Sequence, residues 1–126
     1  VEMSEVSTFI NTCDENSLIL GDEVCSGTET SSAVSIFAEV LLWLNQKKSS
    51  HVFASHFHQL TTMKEITGLK KLDIKHMSVQ CDNNGVLHYT RKLEDGSGAK
   101  MYGLEVCKSI IQDSTFIDLA FNIQII

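Results

Sequence analysis

The sequence predicts an α/β fold, a parallel sheet with flanking helices plus a β-hairpin. Three observations predict it. Two short apolar runs, at 17–21 and 51–54, are each followed by a segment suited to a helix. That strand–helix–strand–helix order gives parallel strands joined by right-handed crossovers. The first run is apolar on both of its alternating phases, which suits a central strand covered by helices on both faces. Finally, Asn83-Asn84-Gly85 lies between two strand-like stretches, and Asn and Gly tolerate the positive φ of a tight hairpin.

The elements follow in order. Met3, Val6, Ile10 and Cys13 recur at helical spacing, so residues 1–13 predict an amphipathic helix, broken by Asp14-Glu15-Asn16. The strand at 17–21 ends in Asp22-Glu23. A polar loop spans 25–30, and Thr30, Ser31 or Ser32 is expected to cap the next helix. That helix extends to about Asn45, is apolar over most of its circumference and should be well buried. Lys47 and Lys48 fall where its C-terminal dipole favours cations. After the strand at 51–54, a helix is expected to about Lys64. Residues 72–81 read as a strand with Leu72 and Ile74 on one phase and Met77, Val79 and Cys81 on the other. The slip near His76 predicts a bulge. Residues 86–90 return as the partner strand. A loop with Gly96, Ser97 and Gly98 leads to a helix with Tyr102, Val106 and Ile110 on one stripe. Asp113 or Ser114 caps a last helix, whose expected apolar stripe is Phe116, Leu119, Ala120 and Ile123.

Composition narrows the function. The 126 residues fit one domain or part of one, and 43% hydrophobic content is enough for a core. A formal charge of −6 with scattered Lys and Arg argues against this segment being the main DNA- or membrane-gripping surface. The longest apolar stretch, 34–44, is too short to span a bilayer and contains Ser35 and Glu39. Val1-Glu2-Met3-Ser4-Glu5 has neither a basic start nor an apolar run, so no signal peptide is expected. The start at Val1 suggests a fragment or a processed product. Cys13, Cys25, Cys81 and Cys107 form no CxxC pair and read as thiols of an intracellular, reducing compartment. His56-x-His58 has no companion Cys or acid at zinc-site spacing.

The strongest chemical feature is Ser17-Leu18-Ile19-Leu20-Gly21-Asp22-Glu23. Paired carboxylates at the C-terminal end of a buried strand stand where α/β sheets bind ligands. In a nucleotide-hydrolysing site the first acid, Asp22, would hold Mg²⁺ and the second, Glu23, would orient or deprotonate the attacking water. The plain alternative is a strand that ends in solvated acids. Ser26-Gly27-Thr28-Glu29-Thr30 follows as a loop suited to close backbone contacts, or simply as a helix cap. His56 then closes the second strand in Phe53-Ala54-Ser55-His56-Phe57-His58-Gln59-Leu60, from which it could reach the same crevice.

In this order the motifs resemble the ABC-type ATPases, and in wording the MutS family. There a strand ending in Asp-Glu precedes a Gly-Thr-Ser-Thr-type loop, and a later strand ends in Phe-Ala-Thr-His. Here these read Gly21-Asp22-Glu23, Gly27-Thr28-Glu29-Thr30 and Phe53-Ala54-Ser55-His56. His76-Met77-Ser78-Val79 is similar to the family's following strand, and Tyr102-Gly103-Leu104-Glu105-Val106 to its Tyr-Gly-Ile-x-Val segment. The opening 1–5 is similar to the segment after the family's signature-like Ser-Thr-Phe. Cys25-Ser26 stands where most members have Gly-Arg, Ser55 replaces Thr, and 111–114 replaces a Gly-Leu-Pro-type turn. The Cys-Ser-Gly-Thr-Glu-Thr wording resembles a divergent branch found in giant viruses and octocoral mitochondria.

The resemblance implies a partial P-loop NTPase fold of the ABC type. Residues 1–126 would be the C-terminal portion of the ATPase domain. No GxxxxGKS/T motif occurs in the chain, so the Walker A loop would lie upstream. It further implies ATP and Mg²⁺ as cofactors, Asp22 as metal ligand, Glu23 as catalytic base and His56 as the histidine at the γ-phosphate. Ser26, Gly27, Thr28, Glu29 and Thr30 would form a loop crossing a dimer interface toward the nucleotide of a second MutS-like subunit. Mismatched DNA would bind through domains not in this chain. The location would be the nucleus, the mitochondrion or a viral replication compartment, with no membrane role. Two other readings stand beside it: a non-catalytic interaction module, and a metal-dependent nuclease using Asp22, Glu23 and His56.

Overall fold

The computed structural model describes residues 2–98, 107, 108 and 110–125. Tyr102 and Val106, expected on a helical stripe, lie outside the described residues, while Cys107, Lys108 and Ile110 are helical. The chain divides into two units, residues 1–72 and 73–126.

The first unit runs α1 (Glu2–Thr12), β1 (Leu18–Asp22), α2 (Thr30–Gln46), β2 (Ser50–Ala54), a 3₁₀ turn (His58–Thr62) and α3 (Lys64–Thr67). β1 and β2 are parallel, pairing Leu18 with Ser50 through to Asp22 with Ala54. Period-two alternation turns Ile19 and Phe53 toward the core, where Val6 of α1 meets Val40 and Leu44 of α2. The opposite face carries Leu18, Leu20 and Val52, and Leu20 remains 72% exposed. The strand expected to be covered on both faces is therefore covered on one, because both helices that pack on it share a side. Along α1, Met3 faces solvent, and Phe9 joins Ile10 and Cys13 against the core in its place.

α2 keeps one solvated side, with Ser31, Ser32, Ser35 and Glu39 exposed, while Ala33, Phe37, Val40, Leu41 and Leu44 are buried. Lys47 is its C-cap. The backbone N–H of Lys47 donates to Trp43 O, and Lys47 Nζ sits 5.3 Å over the Trp43 ring. The helix expected from 58 to 64 is instead a 3₁₀ turn and a single α-turn, separated by Met63 in an extended conformation (ψ 127°). Leu60 and Ile66 are the buried residues of these two turns.

The second unit holds the antiparallel hairpin β3 (Lys75–Cys81) and β4 (Leu87–Asp95), and the helix α4 (Ser114–Ile125). β4 is longer than the sequence predicts, running past Thr90 to Asp95. The register slips between Met77 and Val79, whose partners are Leu93 and Tyr89. The extra residues therefore sit on β4, where Arg91 adopts φ 60°, rather than at His76 on β3. On α4 the Asp113 carboxylate accepts from Phe116 N–H, as a cap should. Of the expected stripe, Phe116, Leu119 and Ile123 are exposed and Ala120 is half-buried, while Ile117, off that stripe, is buried.

The hairpin turn shows why Gly85 (φ 79°) is needed, and it adds Asp82 as a hub. One oxygen of Asp82 accepts from the Asn84 and Val86 N–H groups, and the other meets His88 Nε2 at 3.0 Å. The His88 hydrogen bond, followed by the Val86 N–H, holds this carboxyl below its usual range. A depressed folded pKa contributes stability above the ordinary value of about 4, and the contribution is lost as pH falls through the folded value. Accordingly, Asp82→Ala should weaken amide-exchange protection at Asn84 and Val86 at neutral pH. The difference should vanish in strong acid. Equal protection in both chains at neutral pH would remove Asp82 from this role.

Candidate active site

The site is built at the C-terminal ends of β1 and β2. β1 delivers Asp22 as its last residue, level with Ala54. The next residue, Glu23, continues the pairing through its N–H to Ala54 O (2.8 Å) while turning into a left-handed conformation, φ 51°. That turn aims its side chain across the strand gap, where Glu23 Oε1 lies 2.8 Å from His56 Nε2. Both side chains are solvent-accessible, so the contact adds little stability and serves to orient the two groups. A neutral His56 donates to Glu23 only as the tautomer protonated on Nε2.

His56 is positioned by aromatic packing that the sequence reading did not use. Phe37 of α2 meets Phe53 edge-on at 5.3 Å and Phe57 at 6.2 Å, so the residues three before and one after His56 rest on a single ring. The Ser55 hydroxyl accepts from Phe57 N–H (3.0 Å), fixing the bend that follows β2. Aromatic residues flanking a histidine at a strand end were the available signal.

Gly21 has a specific steric reason. A Cβ there would lie 2.2 Å from Phe53 Cδ1 and 2.7 Å from Val24 Cγ2. Gly21→Ala should therefore push Phe53 off its seat and destabilise the chain by about 1–3 kcal/mol. Thermal unfolding of the variant checks this, and an unchanged midpoint would contradict the packing.

Asp22 is exposed and takes no part in the Glu23–His56 contact. Among the described residues no three His, Cys, Asp or Glu side chains gather in a way that could hold a metal ion. The structure thus brings together two of the three residues singled out, with Asp22 adjacent in sequence and at the strand end. A cleft of about 180 Å³ beside Asp22 is lined by Glu5, Val6, Phe9 and Val24 among others. This is smaller than the roughly 300–1,000 Å³ of typical small-molecule pockets.

The loop from 23 to 29 is a succession of turns. Ser26 N–H donates to Glu23 O and Thr28 N–H to Cys25 O, each at 3.1 Å. Cys25 is fully buried with φ 67°, a conformation that favours glycine. The helix cap is Glu29, one residue before the expected Thr30, Ser31 or Ser32. Its carboxylate accepts from the N–H groups of Ser31 and Ser32 and from both hydroxyls. These bonds, the Ser31 hydroxyl first, lower its pKa to about 2. Thr30 is the first residue of α2.

Comparison with known proteins decides the family. The family model of MutS domain V matches residues 1–125. The chain belongs to the MutS family. It is 38% identical over 122 residues to a mitochondrial DNA mismatch repair MutS homologue of Sarcophyton glaucum, covering 97% of this chain and 12% of that protein. A MutS homologue of Acanthamoeba polyphaga mimivirus is 34% identical over 124 residues, 95% of this chain and 11% of that protein. The DNA mismatch repair protein MutS of Thermus aquaticus is 35% identical over 106 residues, 84% and 12% respectively. This MutS chain thus spans about an eighth of the length of such relatives. Among the described residues no helix is long and apolar enough to cross a membrane.

Proposed function

We propose that this chain is the C-terminal part of the ATP-binding and ATP-hydrolysing domain of a mismatch-repair protein, with a partial P-loop fold completed by residues outside it. The observation that carries the reading is the 2.8 Å contact of Glu23 with His56 at adjacent parallel strand ends. Ligands of open α/β sheets bind at that end. Relatives named for DNA mismatch repair support the process, and the acid pair and histidine support the chemistry.

The residues present fit a magnesium nucleotide. The Asp22 carboxylate is exposed at the strand end and forms no hydrogen bond or ion pair among the described residues, leaving hard oxygen donors for Mg²⁺. Bound there, the ion would neutralise charge developing on the β- and γ-phosphates. Glu23 would act as the base toward the attacking water, and His56, its partner, would be the histidine at the γ-phosphate. Ser26 to Thr30 would reach toward the nucleotide of a second MutS-like subunit, and mismatched DNA would be held by other domains. Residues 1–46 contain no Lys or Arg, so the remaining positive charge for a triphosphate must come from outside this stretch.

The 126-residue chain by itself should show negligible Mg-ATP turnover, and the full-length protein should show steady turnover. Comparing the two under the same conditions tests the proposal. Robust turnover by the chain alone, or none by the full-length protein, would overturn it.

A further inference from the structure

We propose that Glu29 is a positioning residue for hydrolysis, clamping the 23–29 loop to α2 so that Glu23 is held in its working orientation; the role rests on the ATPase reading above. The path from β1 to α2 is anchored near its start, where Val24 packs on the core and Cys25 is fully buried. At its near end stand the left-handed residues Glu23 and Cys25 and the two turn bonds, Ser26 N–H to Glu23 O and Thr28 N–H to Cys25 O. In the middle, a Cβ added at Gly27 would meet nothing within 4 Å. At the far end the Glu29 carboxylate uses both oxygens. Oε1 takes the Ser31 N–H (3.0 Å) and hydroxyl (2.7 Å), and Oε2 takes the Ser32 N–H (3.2 Å) and hydroxyl (2.8 Å).

A carboxylate held through both oxygens cannot rotate away from the helix. α2 is itself fixed, since Phe37 and Leu44 are buried. The clamp therefore sets where the loop must arrive, and the turn bonds carry that constraint back to the Glu23 backbone. Glu29 also carries the negative charge favoured at the N-terminus of a helix of 17 residues. The usual cap residues are Ser, Thr, Asp and Asn. Glu29 takes the place of the Ser in the Gly-Thr-Ser-Thr wording, with a longer, charged arm that recruits two adjacent serines.

A loosened loop would misplace the base of its own subunit. The loss should therefore appear in kcat more than in KM. In the full-length protein, Glu29→Ala should lower kcat for Mg-ATP about tenfold to a hundredfold, as expected for a small misplacement of a reacting group. Glu29→Asp, which can still accept from the same N–H groups, should recover most of the rate. Amide exchange at Ser26 and Thr28 should quicken in Glu29→Ala and return toward the native rate in Glu29→Asp. Overturning results are a Glu29→Ala kcat per folded molecule equal to that of the unmodified protein, or a Glu29→Asp variant no better than Glu29→Ala. Glu23→Gln, run alongside, separates the two ideas. If it hydrolyses ATP at the normal rate, the ATPase assignment of Glu23 fails. The exchange rates at Ser26 and Thr28 still decide whether Glu29 orders the loop.

Discussion

Glu23→Gln in the full-length protein should retain ATP and slow its hydrolysis by about a hundredfold to ten-thousandfold, the usual contribution of a positioned general base. The amide is isosteric, so it can still meet His56 Nε2 across the 2.8 Å gap, and the left-handed backbone at φ 51° need not move. What disappears is the ability to take a proton from water. Binding should survive because the carboxylate is not needed to hold the nucleotide. Single-turnover hydrolysis and a separate measurement of nucleotide affinity distinguish the two. A rate close to that of the unmodified protein would remove Glu23 from the chemistry and leave the acid pair as a solvated strand end.

Leu44→Ala should destabilise the chain by about 2–5 kcal/mol, the cost of emptying a core site that relaxes only in part. Leu44 is 0% exposed and lies with Val6 and Val40 where α1, α2 and the sheet meet. Typical domains have only about 5–15 kcal/mol to lose, so this one change would consume a large share. Urea unfolding should show a lower midpoint with the same slope. Leu44→Met, which keeps the volume, should cost less than about 1.5 kcal/mol. A loss for Leu44→Ala as small as that for Leu44→Met would mean that the site collapses without leaving a cavity.

Much of this was legible before any coordinates. β1, α2 and β2 could be read because an apolar run, a helical stripe and a second run are local patterns. Asp22, Glu23 and His56 could be read because their positions at strand ends follow from those patterns. The contact between Glu23 and His56 required the parallel register, a long-range property. The resemblance puts Glu29 in a ligand loop, and its capping role was not legible because its serine partners, two and three residues on, also look like ordinary caps. The α4 stripe was misjudged because helical spacing reveals an apolar face without saying whether anything covers it. The slip in the hairpin was felt on β3, yet the surplus residues belong to β4, since a register shift can be produced from either strand.

Phe37 gives α2 a second duty. From the helix start at Thr30 to Phe37 is two turns, about 10 Å at 1.5 Å per residue. One end of that short rod is roped to the loop bearing Glu23, and the ring two turns on is wedged between the aromatics that bracket His56. Glu23 and His56 thus hang from a common beam. A push that tilts it disturbs both together, so the stiffness of one helix adds to the strand pairing that sets their spacing.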